Sequence, residues 1–191
     1  MSSVFSKKCG PSTCHLEVPA NHGKKLYDEA VSVLKENCQT QALESVTSIK
    51  FHANTWGLSS CNWFADEIIP KMSLLQVLDF SDTVRFQHRS DLCMGIKAIL
   101  FAAVDMQIER LDLSDNDLEH DGARAFQDFL SRSTSIKRIK ATNCNLGDKS
   151  ATMILKAVKQ NPKLKLTDID LSGNSFGPEG ISDLFKSFQL M

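Results

Sequence analysis

The apolar residues between positions 108 and 126 follow a pattern that fits neither a plain strand nor a plain helix. Ile108, Leu111 and Leu113 begin as in a strand, and Asn116 and Leu118 then break the alternation. A half-buried strand would alternate at every second residue, whereas an amphipathic helix repeats its apolar residues three or four positions apart. Behind an Asp-Gly pair, apolar residues return at helical spacing, at Ala125, Phe126, Phe129 and Leu130. The segment therefore predicts a strand, a turn and a helix.

This succession recurs along the chain. Its copies begin near residues 46, 75, 108, 136 and 166, so that they lie 29, 33, 28 and 30 residues apart. The order and spacing match the leucine-rich-repeat form L-x-x-L-x-L-x-x-N/C-x-L at its longer, helix-containing period. The copy at residue 75 is irregular, because Thr83 takes the asparagine position and Arg85 replaces an apolar residue. The predicted fold class is α/β, a ribonuclease-inhibitor-like solenoid with short parallel strands on the concave face and helices on the convex face.

The asparagine of the repeat has a structural explanation. Asn54, Asn116 and Asn174 stand where the chain turns sharply after a strand, and Cys144 replaces asparagine in one copy. Such a turn leaves buried backbone groups without ladder partners, which is costly. An amide side chain offers two donors and one acceptor. We expect it to bond the backbone of its own turn and of the next repeat, with Cys144 as a weaker substitute.

The segments between the strands predict an outer layer of helices. Apolar residues at i, i+3, i+4 and i+7 mark four of them, within residues 27–34, 61–68, 151–158 and 181–188. We expect residues 1–45 to form an N-terminal tail with a capping strand and helix, and residues 46–191 to form the leucine-rich-repeat domain. The last helix has only the preceding repeat to pack against. Its edge should stay partly exposed, which favours self-association or a frayed C-terminus.

Composition narrows the function. The chain has 191 residues, 42% of them apolar, with a net charge of −1. Its apolar runs stay below the ~18 residues of a membrane span, and a basic stripe for nucleic acid is missing. It also lacks the phosphate-loop, nucleophile-elbow and zinc-hydrolase motifs, so we expect no catalytic chemistry of its own. The start has no secretory or acylation signal, which predicts a cytoplasmic protein.

The six cysteines are scattered, which predicts reduced thiols rather than a disulfide framework. Cys9, Cys14 and His15 have the wrong spacing for a zinc site and lack a second ligand pair, so we expect no metal.

The residues between the buried strand positions should point to the concave face. Their centre row carries alternating charges, at Lys50, Asp79, Asp112, Lys140 and Asp170. Further charged residues cluster around it, at Asp82, Asp115, Lys137, Arg138 and Asp168. Any single one of these could simply be solvated. As a set on a curved and rigid surface, they predict a binding face for another protein.

Three segments carry a specific resemblance. "FSDTVRFQHRSDL", "LDLSDNDLEHDGARAFQDFLSRSTSIKRI" and "TNCNLGDKSATMIL" resemble the N-terminal half of the Ran GTPase-activating protein family, over about residues 26 to 188. The resemblance implies docking on the switch region of a Ran-type GTPase, whose own glutamine carries out hydrolysis without an arginine finger from the activator. GTP and Mg²⁺ would belong to the GTPase, so no cofactor is expected here. It also implies a role in nucleocytoplasmic transport, in the cytoplasm or at the nuclear envelope.

The resemblance assigns roles residue by residue. Ser81 and Asp82 match the family's Ser-Asp, and Asn143 matches its functional asparagine. The family's loop arginine falls on Gln87 and a nearby basic residue on Arg89, while Arg85 lies two positions early. Either a local slip lets Arg85 take the role, or the loop has lost that contact. Asn143 could also be a turn-forming residue, and the arginines could belong to a solvated loop.

The sequence therefore predicts an activator of a Ran-type GTPase. The candidate catalytic residues are Asn143, Arg85 and Gln87, and the candidate partner-binding residues are Arg89, Asp82, Asp112, Asp115, Lys137, Arg138 and Lys140. The alternative is a scaffold without catalytic effect, such as an actin-end or signalling adaptor. Family members have a longer crescent, so the sequence is either an N-terminal fragment or has its last edge covered by a partner.

Overall fold

The computed structural model describes residues 6–10, 13–17, 43–51, 56–83 and 89–189. Within them, the strands form one sheet in chain order: β1 (Ser6–Cys9), β2 (Cys14–Glu17), β3 (Ser48–Lys50), β4 (Val77–Asp79), β5 (Arg110–Asp112), β6 (Arg138–Lys140) and β7 (Asp168–Asp170). β1 and β2 form an antiparallel hairpin, and each later neighbour is parallel. The parallel part is the sheet that the repeats predicted.

Helices connect the strands and form a second layer. They are α1 (Leu58–Glu67), α2 (Arg89–Ala103), α3 (Glu119–Arg132), α4 (Asp148–Gln160) and α5 (Pro178–Phe188), with short 3₁₀ segments at Leu43–Ser45 and Ile69–Lys71. Each helix packs against the next one along the chain. A strand and a helix thus alternate once per repeat, which confirms the predicted solenoid of parallel strands and outer helices.

The core lies between these layers. The central residue of each repeat strand occupies one row across the sheet, made of Ile49, Leu78, Leu111, Ile139 and Ile169. The first four are at most 2% exposed. Burial of one such side chain stabilises the fold by about 1.5–3 kcal/mol. The row reproduces the predicted repeat spacing, because each step along it advances the chain by one repeat.

Asn116 bridges two repeats from inside the core. Its Nδ2 donates to the carbonyls of Phe80 at 2.8 Å and Leu113 at 2.7 Å, and its Oδ1 accepts the Thr83 N–H at 3.2 Å. The predicted structural role is confirmed. The direction expected for its second bond was wrong, because Asn116 reaches the preceding repeat and not the next. The turn of the preceding repeat lies beside it, and the amide pairs the Phe80 carbonyl and the Thr83 N–H of that turn.

Asn174 makes equivalent contacts two repeats further on. Its Nδ2 donates to Ala141 and Leu171, both at 2.7 Å, and its Oδ1 accepts the N–H groups of Cys144 and Leu146, both at 3.0 Å. Where cysteine replaces asparagine, the Cys144 Sγ lies 3.1 Å from the Leu113 carbonyl and offers it only a weak donor. Asn54 lies outside the described residues.

The thiols correct one expectation. Cys9 and Cys14 form a disulfide that closes the β1–β2 hairpin, so the prediction of reduced thiols was wrong for this pair. The hairpin register places the two residues opposite each other, which the scattered spacing did not reveal. Cys61, Cys93 and Cys144 are buried thiols.

The outer helices differ in how completely they are covered. The predicted apolar faces within residues 61–68 of α1 and 151–158 of α4 are buried, whereas residues 27–34 lie outside the described part. On α5, Leu184 is 8% exposed, but Ile181, Phe185 and Phe188 are 46%, 64% and 41% exposed. The predicted open C-terminal edge is confirmed. Among the helices of the described residues, none has the length and hydropathy to cross a membrane.

Candidate functional site on the concave face

Two rows of side chains cross the concave face. Row A consists of His15, Ser48, Val77, Arg110, Arg138 and Asp168, which precede the buried residue of each strand. Row B consists of Glu17, Lys50, Asp79, Asp112, Lys140 and Asp170, which follow it. The predicted centre row is therefore confirmed as part of row B. Between β4 and β7 the two rows line a groove of about 390 Å³.

Hydrogen bonds from nearby serines fix the carboxylates of row B. The Asp79 carboxylate accepts the N–H of Ser81 at 3.0 Å and its hydroxyl at 2.7 Å. The Asp112 carboxylate accepts the Ser114 N–H at 2.9 Å. At Asp170, the Ser172 hydroxyl lies at 2.7 Å, and chiefly this bond lowers the pKa of the carboxyl group below its ordinary value. These acidic groups are oriented before any partner arrives.

A pair of arginines gives row A its charge. Arg110 and Arg138 are exposed and lie opposite each other on β5 and β6. Within the described residues, neither makes a salt bridge; the adjacent Glu109 carboxylate pairs instead with Lys137 at 2.6 Å. That hydrogen bond is the main reason why the pKa of Glu109 is lowered. Like charges directly opposite each other destabilise a sheet, so an anion bound between the two guanidinium groups would relieve their repulsion.

A third row borders the concave face in the left-handed backbone region. Asp82, Asp115, Asn143 and Gly173 hold equivalent positions in successive repeats, with φ of 47°, 60°, 54° and 71°. Asparagine, aspartate and glycine tolerate this region best among the amino acids. The N–H of Asn143 donates to the Ser172 carbonyl at 3.0 Å, as the N–H of Asp115 does to Thr142 at 2.9 Å. The turn alone thus accounts for an asparagine at position 143.

The Asn143 side chain is exposed at this border. Its Nδ2 donates to the Asp115 carboxylate at 2.9 Å. A Cβ atom at Gly173 would lie 2.0 Å from its Oδ1, so the glycine leaves room for the amide. The side chain is therefore held in place, and it faces solvent beside row B.

The loop to which the resemblance assigned contact with the GTPase lies mostly outside the described residues. Arg85 and Gln87 lie outside the described residues, and Arg89 is described only as the first backbone position of α2. Asp82 lies just before that loop, and its N–H donates to the Ser114 carbonyl at 2.8 Å. The sequence-based roles of Arg85, Gln87 and Arg89 therefore stay predictions.

Sequence reasoning missed Arg110, which lies in the middle of the groove. It stands one residue before the buried Leu111, as Arg138 stands before Ile139. The repeat register could have identified it, since the two arginines occupy the same template position. Among the predicted partner-binding residues, the structure brings Asp112, Arg138 and Lys140 together in the groove, with Lys137 beside them on the Glu109 carboxylate.

No cluster of three or more histidine, cysteine or acidic side chains with the geometry of a metal site occurs in the described part of the chain. Cys14 is in the disulfide, and the His15 ring is hydrogen-bonded to the Ser48 hydroxyl. The side chains of the groove instead suit hydrogen bonds and ion pairs with a second protein.

A family model and one solved structure agree with this architecture. A family model described as "Leucine Rich repeat" matches residues 106–126 and 163–185. The solved structure of Leiomodin-1 Actin-Binding Site 2 is similar with a TM-score of 0.53 at 15% identity, over 85% of this chain and 89% of that one. A Bacteroides fragilis protein matches at a TM-score of 0.38 and 16% identity, over 72% and 45% of the two chains. No curated protein matches. The repeat register, the family model and the first structural neighbour together show that the described part of the chain has the fold of a leucine-rich-repeat solenoid.

Proposed function

We propose that this chain is a protein-binding scaffold whose partner docks in the groove of the concave face. The pair of Arg110 and Arg138 carries this proposal, because neither guanidinium group is held in a salt bridge with another described residue and both can bind an acidic group of a partner. Arginine binds a carboxylate through two parallel hydrogen bonds, which gives specificity as well as affinity. Asp79 and Asp112, oriented by their serines, flank the pair and favour basic groups beside the partner's acid.

The partner proposed is a Ran-type small GTPase. The resemblance of the three segments to Ran GTPase-activating proteins supports it, and so does the acidic and basic patterning of rows A and B. Electrostatic complementarity of this kind selects a partner and speeds its association. A second candidate is a scaffold for a cytoskeletal protein, which the structural similarity to an actin-binding site of leiomodin-1 supports.

In the GTPase proposal the chain supplies position rather than chemistry. It acts on the hydrolysis of the GTPase and has no catalytic activity or cofactor of its own, while GTP and Mg²⁺ stay on the partner. The exposed Asn143 amide, held by Asp115, would orient the partner's glutamine or attacking water without adding charge. Orientation and preorganised dipoles supply much of the barrier reduction in phosphoryl transfer. The proposed place of action is the cytoplasm or the nuclear envelope.

Single-turnover GTP hydrolysis by Ran tests the activation. Wild type and Asn143→Ala are titrated to saturation, and we expect Asn143→Ala to bind normally but to slow stimulated hydrolysis by about 10²-fold, as when one preorganised donor is lost. Asn145→Ala is the matched control, since Asn145 is also exposed with φ of 56°. If both variants slow hydrolysis equally, the effect comes from strain in the left-handed backbone and not from the loss of the Asn143 amide.

The Gln87 position separates activation from binding. If wild type binds Ran but does not accelerate hydrolysis, the chain is a scaffold, and Gln87→Arg should then restore part of the activity. If Gln87→Arg has no effect either, the activating role is excluded and only the binding role survives. Absence of Ran binding, with actin binding in its place, would move the proposal to the cytoskeletal candidate.

A further inference from the structure

The outer edge of β7 leaves backbone groups of the solenoid ladder without partners. In successive repeats the N–H groups of Phe80, Leu113 and Ala141 donate to the carbonyl of the following repeat at 2.8, 2.8 and 2.9 Å. The equivalent N–H, on Leu171, has no acceptor among the described residues. The Gly173 N–H is in the same situation, although its counterpart on Asn143 donates to Ser172. The edge therefore offers donors already aligned for one more strand.

The side chains on this edge are also uncovered. Ile169, Leu171 and Phe176 are half-buried, whereas their counterparts one repeat earlier, Ile139, Ala141 and Leu146, are at most 2% exposed. In the helix layer, the exposed stripe of α5 lies on the same terminal repeat. An apolar surface in both layers, beside aligned backbone donors, is the arrangement that binds an added strand.

The charges of β7 determine which side chains the added strand should carry. Asp168 and Asp170 flank Ile169, and on the other side of β7 they face Arg138 and Lys140 of β6. Two copies of β7 paired about a twofold axis would place Asp168 of one chain against Asp170 of the other. Like charges directly opposite each other destabilise such a pair, so charge disfavours a second copy.

We propose that the β7 edge binds an extended segment of a partner protein as an added parallel strand with a basic–apolar–basic sequence. The two basic residues face Asp168 and Asp170, and the apolar residue between them covers Ile169. Carbonyls of the segment accept the N–H groups of Leu171 and Gly173. Asp168 and Asp170 also line the groove that holds the arginine pair, but binding of a strand to the backbone edge of β7 does not depend on the proposed GTPase.

The chain itself contains a segment of this chemistry, and another with the opposite charge. Residues 135–147 include Arg138-Ile139-Lys140, and residues 165–177 include Asp168-Ile169-Asp170 in the same repeat register. Synthetic peptides of the two segments, with Cys144→Ser in the first, therefore differ in strand charge while sharing length and repeat template. They are matched probes for the edge of the intact chain.

Amide hydrogen exchange of the full chain tests the proposal. We expect the 135–147 peptide to slow amide exchange at Leu171 and Gly173. We also expect it to bind about 10-fold more tightly than the 165–177 peptide, because two cross-strand charge pairs contribute about 1.4 kcal/mol. The double variant Asp168→Lys/Asp170→Lys should reverse this preference. Asp66→Lys/Asp128→Lys, which changes two exposed helix residues, should keep it.

Three outcomes would overturn the proposal. Equal affinity for both peptides, or binding that leaves Leu171 and Gly173 unprotected, would show that the edge does not select a basic strand. Protection of these amides that grows with protein concentration in the absence of peptide would assign the edge to a second copy of the chain.

Discussion

At the scale of single residues, Asn116 contributes most to the register of the solenoid. Its amide is fully buried and serves the turns of two repeats at once. The sequence predicted this role because an asparagine inside a leucine pattern needs buried partners. It did not predict that those partners belong to the preceding repeat, since a template fixes the order of residues but not the side from which a turn is reached.

Asn116→Ala should lower the free energy of unfolding by about 1–3 kcal/mol, because it leaves buried backbone groups unpaired. Cys144→Ala should cost less, since its thiol is a weak donor to the Leu113 carbonyl. Urea unfolding of the two variants and wild type gives the comparison. A neutral Asn116→Ala variant would mean that the assigned asparagine ladder is wrong.

The Cys144 thiol gives a pH-dependent prediction. Burial raises the pKa of Cys144 to about 12, whereas the pKa of an unfolded cysteine is about 8.5. The folded state therefore binds the thiol proton more tightly than the unfolded state does. The stability that this protonated thiol contributes is fully present below about pH 8.5 and is lost as the pH rises toward 12. We expect iodoacetamide at pH 8.5 to modify Cys144 in urea but not in the native protein, as read by peptide mass spectrometry. Rapid native alkylation would show that the site opens.

At the scale of elements, the last helix begins at a cap supplied by its neighbour. The Asp148 carboxylate, at the start of α4, accepts the N–H of Gly177 at 2.7 Å and of Gly180 at 3.0 Å, at the start of α5. A Cβ atom at Gly180 would lie 2.3 Å from the Asp148 Oδ1, so this close approach requires glycine. Consecutive helices are thereby tied at their N-termini, where a negative charge is favourable.

Asp148→Ala should destabilise the chain by about 1 kcal/mol, as loss of a helix cap does. The loss should appear first as faster amide exchange in α5, because that helix has no repeat beyond it among the described residues. Asp148→Asn is the matched control, since it keeps an acceptor oxygen and should retain most of the protection. Equal exchange rates in all three proteins would argue that packing alone holds α5.

The sequence predicted some elements more clearly than others. In α4 the apolar residues form one narrow stripe, so its helical period stands out and its buried face was predicted correctly. In α2 the stripe is blurred, because Met94 and Phe101 are 56% and 68% exposed among buried neighbours. The β1–β2 hairpin was also not recognised, because its strands carry charged and polar residues at most positions.

At the scale of the whole molecule, the repeat period determines which charges meet. Residues about thirty positions apart become neighbours in rows A and B, and each row mixes acidic and basic groups. Most of the charged face could therefore be predicted once the repeats were aligned. The pairing of Glu109 with Lys137 could not be predicted from the repeats, because it depends on side-chain geometry. This pairing leaves Arg110 and Arg138 without a salt bridge in the described part.

Binding of the chain to GTP-bound Ran, measured by isothermal titration calorimetry at two salt concentrations, tests the central claim most directly. The double variant Arg110→Glu/Arg138→Glu reverses the charges of the groove, and Lys156→Glu/Lys159→Glu makes the same change in net charge on the exposed side of α4. We expect the groove variant to weaken binding by at least about 10-fold, more strongly at low salt, as for charge-complementary interfaces. The α4 variant should bind like wild type. Equal affinity of the two double variants, or no binding by wild type, would contradict the proposal that Ran binds in the concave groove.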